Sequence, residues 1–210
     1  MSDKPRVKRL RTDTFYDMFG VAKSFLWDNP VEIDHGCFLG NICHSFFNST
    51  LDNFNIKAIV NVTGDAPNYY DPEITYFNIR IPDLNEATII NKLEDCYQFI
   101  SNNLENGSVL IHCVFGRSRS VAVCVFYLMK KYGLSFEEAY AKIEGQKAII
   151  NLNTTFANEI KAYFNQTENR DESLEVELIL PEDDVSLSHF GNHDLESKTN
   201  IKPRFMTPPV

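Results

Sequence analysis

The sequence predicts a single α/β domain built on a mostly parallel β-sheet. Residues 57–63, 75–81 and 108–112 are short segments, rich in β-branched side chains and bounded by turn residues, which is typical of buried strands. Each of them is followed or preceded by an apolar pattern of helical period. Strands that alternate with helices favour a parallel sheet, because parallel neighbours need a crossover connection that is usually a helix.

The clearest helical pattern follows the second predicted strand. Between residues 89 and 104 the apolar side chains recur at steps of three and four, so they share one face of a helix: Ile89, Leu93, Cys96, Tyr97, Ile100 and Leu104. Ser135 and Glu138 form a capping box, which predicts that another helix begins there. Residues 154–164 predict a last helix.

The chain divides into three segments. With 210 residues, 43% of them hydrophobic, it is long enough for one domain with a large core and some sequence outside it. Residues 30–165 carry the strand and helix pattern, and residues 1–29 form a basic arm that includes a candidate helix. Residues 166–210 contain ten acidic and four basic side chains and few large apolar ones, so we expect a mostly disordered acidic tail.

Composition limits the partners of this protein. A formal net charge of -9 argues against nonspecific affinity for nucleic acid or for an anionic membrane, because both partners are negative. An anionic substrate still fits, provided that one local pocket is positive. The five cysteines, at positions 37, 43, 96, 113 and 124, match neither a zinc ribbon nor a small disulfide scaffold, so we expect reduced thiols and no bound metal.

The sequence also predicts a compartment. Its longest apolar run, residues 121–129, is about half of the roughly 20 residues that a membrane helix needs, so no membrane span is expected. The first residues lack the apolar stretch of a secretory signal. We therefore expect a cytoplasmic protein, with the nucleus as a second candidate compartment because residues 4–11 are basic.

The segment with the strongest chemical signal joins the third predicted strand to a buried helix. The apolar SVLI runs into HCVFGRSRS and then into VAVCVFYLMK. The first amides of a helix have no intrahelical partner and lie at the positive end of its dipole, so a loop at this point can hold an anion. Gly116 lets the backbone curl there. The order strand, tight loop, helix therefore predicts a phosphate-binding loop.

Cys113 and Arg119 lie at the two ends of this loop. A thiol attacks as the thiolate, and a ring of amides, a helix dipole and a nearby cation lower its pKa. The planar guanidinium of Arg119 can grip two phosphate oxygens. We expect His112 to orient loop carbonyls and Ser120 to donate its hydroxyl to the sulfur. A lone cysteine after a buried strand is usually a core residue, but the full set of residue types favours a nucleophile.

HCVFGRSRS resembles the active-site signature of the protein tyrosine phosphatases, and its Gly-x-Ser-Arg-Ser ending is similar to that of the dual-specificity branch. FLGN at 38–41, IVNVT at 59–63 and IINLNTTF at 149–156 fall where this branch carries comparable motifs, so the resemblance covers about residues 30–165. It implies a catalytic domain with a central sheet of about five strands flanked by helices. It also implies a set of phosphate-binding residues: Val114, Phe115, Gly116, Arg117, Ser118 and Arg119.

A general acid is also required, because an unprotonated alkoxide or tyrosinate leaves slowly. The resemblance implies an aspartate in a loop that follows a strand and precedes the nucleophile. Asp83 in NIRIPDLNEATII occupies that position, directly after Ile81-Pro82. Glu86 is the second candidate.

A second segment, GCFLGNICHS, is similar to the nucleophile loop of low-molecular-weight tyrosine phosphatases, which shares LGNIC. In that alignment Phe38 falls at the nucleophile and His44 at the arginine, and neither can do the chemistry. We therefore expect Cys37 and Cys43 to be packing residues. Cys124, in the apolar run after HCVFGRSRS, is expected to be a core residue too.

The resemblance usually includes Asn-Pro-Asn before the last helix, where this chain has Asn151-Leu152-Asn153, so a bracing role for Asn151 is an open question. The predicted function is hydrolysis of phosphotyrosine and phosphoserine or phosphothreonine in proteins, without a cofactor. The alternatives are a phosphoinositide or RNA 5'-phosphatase with the same mechanism and, third, a phosphoprotein-binding module. We expect no N-terminal kinase-docking domain of the kind that some relatives carry, because only about 30 residues precede the predicted catalytic domain.

Overall fold

A mixed five-stranded sheet forms the centre of the molecule. The structure is a computed structural model that describes residues 29–70 and 72–177, with side-chain surroundings described up to residue 167. The strands are β1 (Val31–Asp34), β2 (Cys37–Gly40), β3 (Ile56–Asn61), β4 (Thr75–Asn78) and β5 (Ser108–His112). They lie in the order β1-β2-β5-β3-β4. The predicted basic arm before residue 29, its candidate helix and nuclear-import segment, and the tail after residue 177 lie outside the described residues.

Strand β5 lies in the middle of this sheet and is parallel to both of its neighbours, β2 and β3. Strands β3 and β4 are also parallel, and only β1 runs antiparallel to its neighbour β2. The sheet is therefore mostly parallel, and the predicted fold class is confirmed. Because the parallel strands end at one edge, the residues that follow β3 and β5 are brought together there.

Helices cover both faces of the sheet. They are α1 (Ile42–Phe46), α2 (Asn48–Asn53), α3 (Leu93–Asn103, preceded by a 3₁₀ turn at Ile90–Lys92), α4 (Arg119–Tyr132), α5 (Phe136–Gln146) and α6 (Thr154–Glu177). Val109 and Ile111 of β5 face the larger core, which contains the buried sides of α3 to α6. Leu110, between them, faces the other core with Leu51 of α2. The alternation along β5 thus separates two apolar layers.

The sequence predicts the start of helix α5 more accurately than the end of helix α6. The capping box of Ser135 and Glu138 is formed in both directions, and α5 begins where it was predicted. The last helix, α6, continues to Glu177, past the predicted end at residue 164 and into the segment expected to be a disordered tail. Phe156 and Ile160 in its first turns are fully buried, so packing anchors the start of this helix.

All five cysteines are buried and free. Cys37 lies in β2, Cys43 in α1 and Cys124 in the fully buried part of α4, which confirms that these three are packing residues. No helix in the described part of the chain is long and apolar enough to cross a membrane.

Candidate active site

The candidate site lies where β5 ends and α4 begins. Cys113 follows the last residue of β5, and α4 starts at Arg119, so residues 113–118 form a loop at the N-terminus of a long buried helix. We call these six residues the nucleophile loop. The predicted order of strand, loop and helix is confirmed, and the helix dipole points its positive end at the loop.

The Cys113 sulfur accepts two hydrogen bonds, one from the nucleophile loop and one from the first turn of α4. The backbone N–H of Gly116 and the hydroxyl of Ser120 both donate to Sγ, each at 3.2 Å. Ser120 was predicted from the sequence to donate to this sulfur, and the structure places it within reach. A sulfur that accepts two donors is better stabilised as an anion than as a thiol.

The pKa of Cys113 is lowered although the residue is buried. Burial by itself raises the pKa of this thiol, but hydrogen bonds from the side chain and backbone of Ser120, the charge of Arg119 and the backbone of Arg117 outweigh that effect. The other four cysteines show the opposite result. Burial raises the pKa of Cys43 to about 12 and raises the pKa of Cys37, Cys96 and Cys124 as well. Cys113 is therefore the one of the five cysteines whose surroundings lower the pKa of its thiol.

Arg119 lies beside the loop with part of its donor capacity unused. Its Nη1 donates to the carbonyl of Ile81 at 3.2 Å, which anchors the guanidinium to the segment before Asp83. Its Nε is buried without a hydrogen-bond acceptor, since Asp83 Oδ2 at 3.6 Å is beyond that distance. A buried donor without an acceptor is costly, and an anion in the loop would supply the missing oxygen.

Asp83 is held against the nucleophile loop. The hydroxyl of Ser118 donates to its Oδ1 at 2.8 Å, and the side-chain amide of Asn153 approaches the same oxygen at 3.4 Å. The side chain is about one-third exposed, so the carboxylate is accessible to solvent and to a substrate. Glu86, the second candidate for the acid, is an exposed residue of the same connection. The structure thus brings Asp83 to the loop together with Cys113 and Arg119.

The side chain of His112 contacts the backbone of the nucleophile loop. It is buried, and its Nδ1 lies 3.3 Å from the carbonyl oxygen of Cys113. Burial lowers the pKa of His112 to about 4, so the imidazole is neutral near pH 7. A neutral ring can orient the loop carbonyl without adding a positive charge that would compete with Arg119.

The segment Gly36 to Ser45, which carries no nucleophile chemistry, shapes the loop from the outside. Gly116 has a φ of +68°, and a Cβ on it would lie 2.4 Å from the carbonyl oxygen of Gly40. The N–H of Ile42 donates to the carbonyl of Val114 at 3.2 Å. The LGNI motif therefore packs against the nucleophile loop. Sequence reasoning missed this role because the motif and the loop are distant from each other along the chain.

The connection before α6 braces the loop from the opposite side. The N–H of Asn151 donates to the carbonyl of Arg117 at 2.8 Å, and the N–H of Asn153 donates to the Ser118 hydroxyl at 3.1 Å. Asn151 thus contacts the loop through its backbone, while its side chain is exposed. The side chain of Asn153 is the one that reaches Asp83, which the sequence alone did not indicate.

Comparisons with known proteins agree with this geometry. Residues 37–166 match the family model described as the catalytic domain of the dual specificity phosphatases. The chain is 38% identical over 141 residues to the dual specificity protein phosphatase Mpk3 of Drosophila melanogaster, a match that covers 65% of this chain and 34% of the relative. It is 28% identical to dual specificity protein phosphatase 1 of Arabidopsis thaliana, covering 67% of this chain and 72% of the relative. The matched region thus spans about a third of the first relative's length.

Solved structures share the fold. Human DUSP28 superposes with a TM-score of 0.63 at 23% identity, covering 67% of this chain and 96% of that structure. The human tyrosine phosphatase-like serine/threonine/tyrosine-interacting protein has a TM-score of 0.62 at 26% identity, covering 66% and 97%. PTPMT1 in complex with PI(5)P has a TM-score of 0.59 at 18% identity, covering 69% and 99%. At such identities the DUSP28 and PTPMT1 structures establish a common fold.

Proposed function

The chain belongs to the dual specificity phosphatase family, and we propose that it removes phosphate from phosphotyrosine and from phosphoserine or phosphothreonine in proteins. The observation that carries this proposal is the Cys113 sulfur, which accepts hydrogen bonds from the N–H of Gly116 and the hydroxyl of Ser120 in a loop that Arg119 borders. A thiolate at the N-terminus of a helix, beside a guanidinium, is suited to bind and attack a phosphate monoester.

In the first step the Cys113 sulfur attacks phosphorus, and the bond between phosphorus and the substrate oxygen breaks. Asp83 gives its proton to that oxygen, so a neutral alcohol or phenol leaves and a cysteinyl-phosphate remains. Arg119 and the backbone amides of residues 114–118 stabilise the equatorial oxygens as their charge develops.

In the second step water cleaves the cysteinyl-phosphate. Asp83, now a carboxylate, takes a proton from the water as its oxygen attacks phosphorus, and the bond to sulfur breaks. Inorganic phosphate leaves, and the Cys113 thiolate is regenerated. The Ser120 hydroxyl, 3.2 Å from Sγ, stabilises the charge that returns to the sulfur.

The hydrogen bonds around Asp83 support its assignment as the acid. Phosphate in the loop would take over the Nε of Arg119, which lies 3.6 Å from Asp83 Oδ2. Ser118 and Asn153 would then still hold Oδ1 at the opening of the site. We propose that substrate binding frees one carboxyl oxygen of Asp83 for the leaving group in this way.

Three alternative functions would use all or part of this site. A phosphoinositide phosphatase uses the same chemistry, but the loop VFGRS lacks the two lysines typical of the lipid type, and the chain has a net charge of -9. An RNA 5'-phosphatase faces the same unfavourable charge. A binding module without turnover is disfavoured because the nucleophile, arginine and acid candidates are all present.

The test of the chemistry is hydrolysis of a small aryl phosphate. We expect Cys113→Ser to abolish turnover, because a hydroxyl at this position is not ionised near neutrality. We expect Asp83→Ala to lower turnover of phosphoserine peptides by about two orders of magnitude, in line with general acid catalysis. Glu86→Ala is the matched control and should leave the rate unchanged. Full turnover in Cys113→Ser would refute the mechanism.

The test of the substrate compares phosphopeptides with phosphoinositides. We expect kcat/KM to be higher for phosphotyrosine and phosphothreonine peptides than for phosphoinositides presented in vesicles. The reverse order would move the assignment to the lipid alternative while leaving the mechanism intact.

A further inference from the structure

Most of the large exposed apolar side chains lie in segments that contact the nucleophile loop. Within residues 29–167, the large hydrophobic side chains that are well exposed are those of Leu84, Phe115, Tyr132 and Ile149. Single exposed apolar residues are normal and need no explanation. Three of these four, however, lie in segments that contact the nucleophile loop. We call Leu84, Phe115 and Ile149 the apolar rim.

Each member of the apolar rim is tied to the site by a neighbouring hydrogen bond. Phe115 belongs to the nucleophile loop itself, directly before Gly116, whose N–H donates to the Cys113 sulfur. Leu84 follows Asp83, whose carboxylate accepts the Ser118 hydroxyl. Ile149 lies two residues before Asn151, whose N–H donates to the Arg117 carbonyl. Three separate chain segments that meet at the nucleophile loop therefore each carry an exposed apolar side chain.

These side chains remain exposed, whereas other apolar side chains in the same part of the chain are packed against the core. Leu84 is 55% exposed, Ile149 is 49% exposed and Phe115 is 43% exposed. By contrast, Ile150 and Leu152 in the same connection pack against the larger core. Folding alone therefore does not use the apolar surface of the rim, and a bound partner that covered it would gain hydrophobic burial.

We propose that the apolar rim binds a large apolar side chain adjacent to the phosphorylated residue of a protein substrate. This inference rests on the proposed function. When a phosphorylated side chain enters the pocket, the residues on either side of it lie against the segments around the nucleophile loop, and these segments carry Leu84, Phe115 and Ile149. Substrates with leucine or phenylalanine next to the phosphorylated residue are therefore preferred to substrates with acidic or small polar neighbours.

A lipid substrate would offer the rim an apolar chain as well, but the rest of the molecule disfavours it. A phosphoinositide reaches the pocket only when the protein approaches an anionic surface, and a chain with a net charge of -9 is repelled there. A protein segment with an apolar residue carries no such requirement. The rim is thus assigned to peptide recognition.

The experiment uses three substrates with the same leaving group. They are phosphotyrosine with blocked termini, a phosphotyrosine peptide with leucine on both sides, and the same peptide with serine on both sides. For the full chain we expect kcat/KM to be about tenfold higher for the leucine peptide than for the serine peptide, as is typical of apolar pocket contacts. Equal values for the two peptides would overturn the inference.

The variant that tests the residues is Leu84→Ser combined with Ile149→Ser, because neither side chain has a part in the proposed chemistry. We expect this double variant to lose most of the preference for the leucine peptide while it still hydrolyses blocked phosphotyrosine. Tyr132→Ser is the matched control, since Tyr132 is 48% exposed but lies at the C-terminal end of the 14-residue helix α4, whose other end adjoins the nucleophile loop. A preference that survives the double variant would contradict the assignment.

These experiments distinguish failure of the proposed phosphatase function from failure of the apolar rim proposal. If blocked phosphotyrosine is not hydrolysed, the proposed function fails, and binding of the two peptides to Cys113→Ser by fluorescence anisotropy still tests the rim. If blocked phosphotyrosine is hydrolysed without a leucine preference, only the rim proposal fails. Faster turnover of a phosphoinositide in neutral vesicles than of the leucine peptide would also overturn it, in favour of an acyl chain on the rim.

Discussion

Asp83 has a dedicated set of partners, and this has a consequence for catalysis. The hydroxyl of Ser118 links the Asp83 carboxylate, at 2.8 Å, to the backbone N–H of Asn153, at 3.1 Å. Ser118 therefore does more than contribute a loop amide. We propose that its hydroxyl has a positioning role, in which it holds the acid without itself touching the substrate.

Replacement of Ser118 should affect poor leaving groups most. In Ser118→Ala the acid loses its shortest hydrogen bond, and we expect kcat for a phosphoserine peptide to fall about tenfold, a part of the usual contribution of general acid catalysis. An aryl phosphate with an acidic phenol needs little protonation, so its rate should change much less. Equal losses for both substrates would indicate general damage to the loop and contradict a role in positioning the acid.

The buried His112 makes stability depend on pH. Burial lowers its pKa to about 4 in the folded state, whereas the unfolded side chain titrates near 6.5. Between these values the unfolded chain binds more protons than the folded chain, so stability is lost as the pH falls. We expect His112→Gln to remove up to about 3 kcal/mol of this pH dependence. Urea denaturation of both proteins at pH 7 and pH 4.5 measures it, and parallel pH profiles would contradict the prediction.

At the scale of elements, the nucleophile loop depends on contact with the turn between β2 and α1. A Cβ on Gly116 would lie 2.4 Å from the Gly40 carbonyl oxygen, and backbone cannot yield as a flexible side chain can. Gly133, which ends α4, has a similar φ of +64° but open space around the corresponding position. Comparing an alanine substitution at each of the two glycines therefore distinguishes the cost of a positive φ from the cost of a steric clash.

We expect Gly116→Ala to abolish phosphatase activity and to destabilise the fold clearly more than Gly133→Ala does. The strain of a positive φ is common to both variants and costs about 1 kcal/mol. The clash with Gly40 is added only in Gly116→Ala, where the loop must also change shape. Thermal unfolding and aryl phosphate turnover of the two variants provide the comparison. Equal stability and retained turnover would show that the loop does not need this close approach.

The elements that the sequence predicted are those with long or strongly marked patterns. Strand β5 and the capping box of α5 were located to the residue, and the periodicity of residues 89–104 located α3. Strand β1 was missed because it is a four-residue edge strand, and β2 because all four of its residues are buried and show no alternation. Helices α1 and α2, with five and six residues, are too short for a periodic signal.

At the scale of the whole molecule, the site is the point where four separate segments meet. The contiguous motif from His112 to Ser120 could be recognised from sequence because its chemistry lies within nine letters. The supports supplied by Gly40 and by Asn153 could not, since their contacts exist only after β2 and α6 have packed around β5. Asp83 is an intermediate case. The sequence indicated it as a candidate acid, but only the fold shows that its carboxylate contacts the nucleophile loop.

The fold also gives one of the five cysteines a thiol pKa that is shifted in the opposite direction from the other four. Cys37, Cys43, Cys96 and Cys124 are packed in apolar surroundings that raise the pKa of each thiol. Cys113 is as well buried as they are, at 2% exposure, but its neighbours donate hydrogen bonds and positive charge. A difference in reactivity among the five cysteines is therefore a property of the folded molecule and should vanish in urea.

The most direct test is the rate of alkylation by iodoacetamide at each cysteine, followed by mass spectrometry as the pH is varied. We expect Cys113 to be modified alone in the folded protein, faster at pH 6.5 than free cysteine at that pH, with a midpoint below the ordinary thiol pKa. Inorganic phosphate should slow the reaction by occupying the loop. If Cys113 reacts no faster than free cysteine, the thiolate does not form near neutrality and the proposed mechanism is wrong.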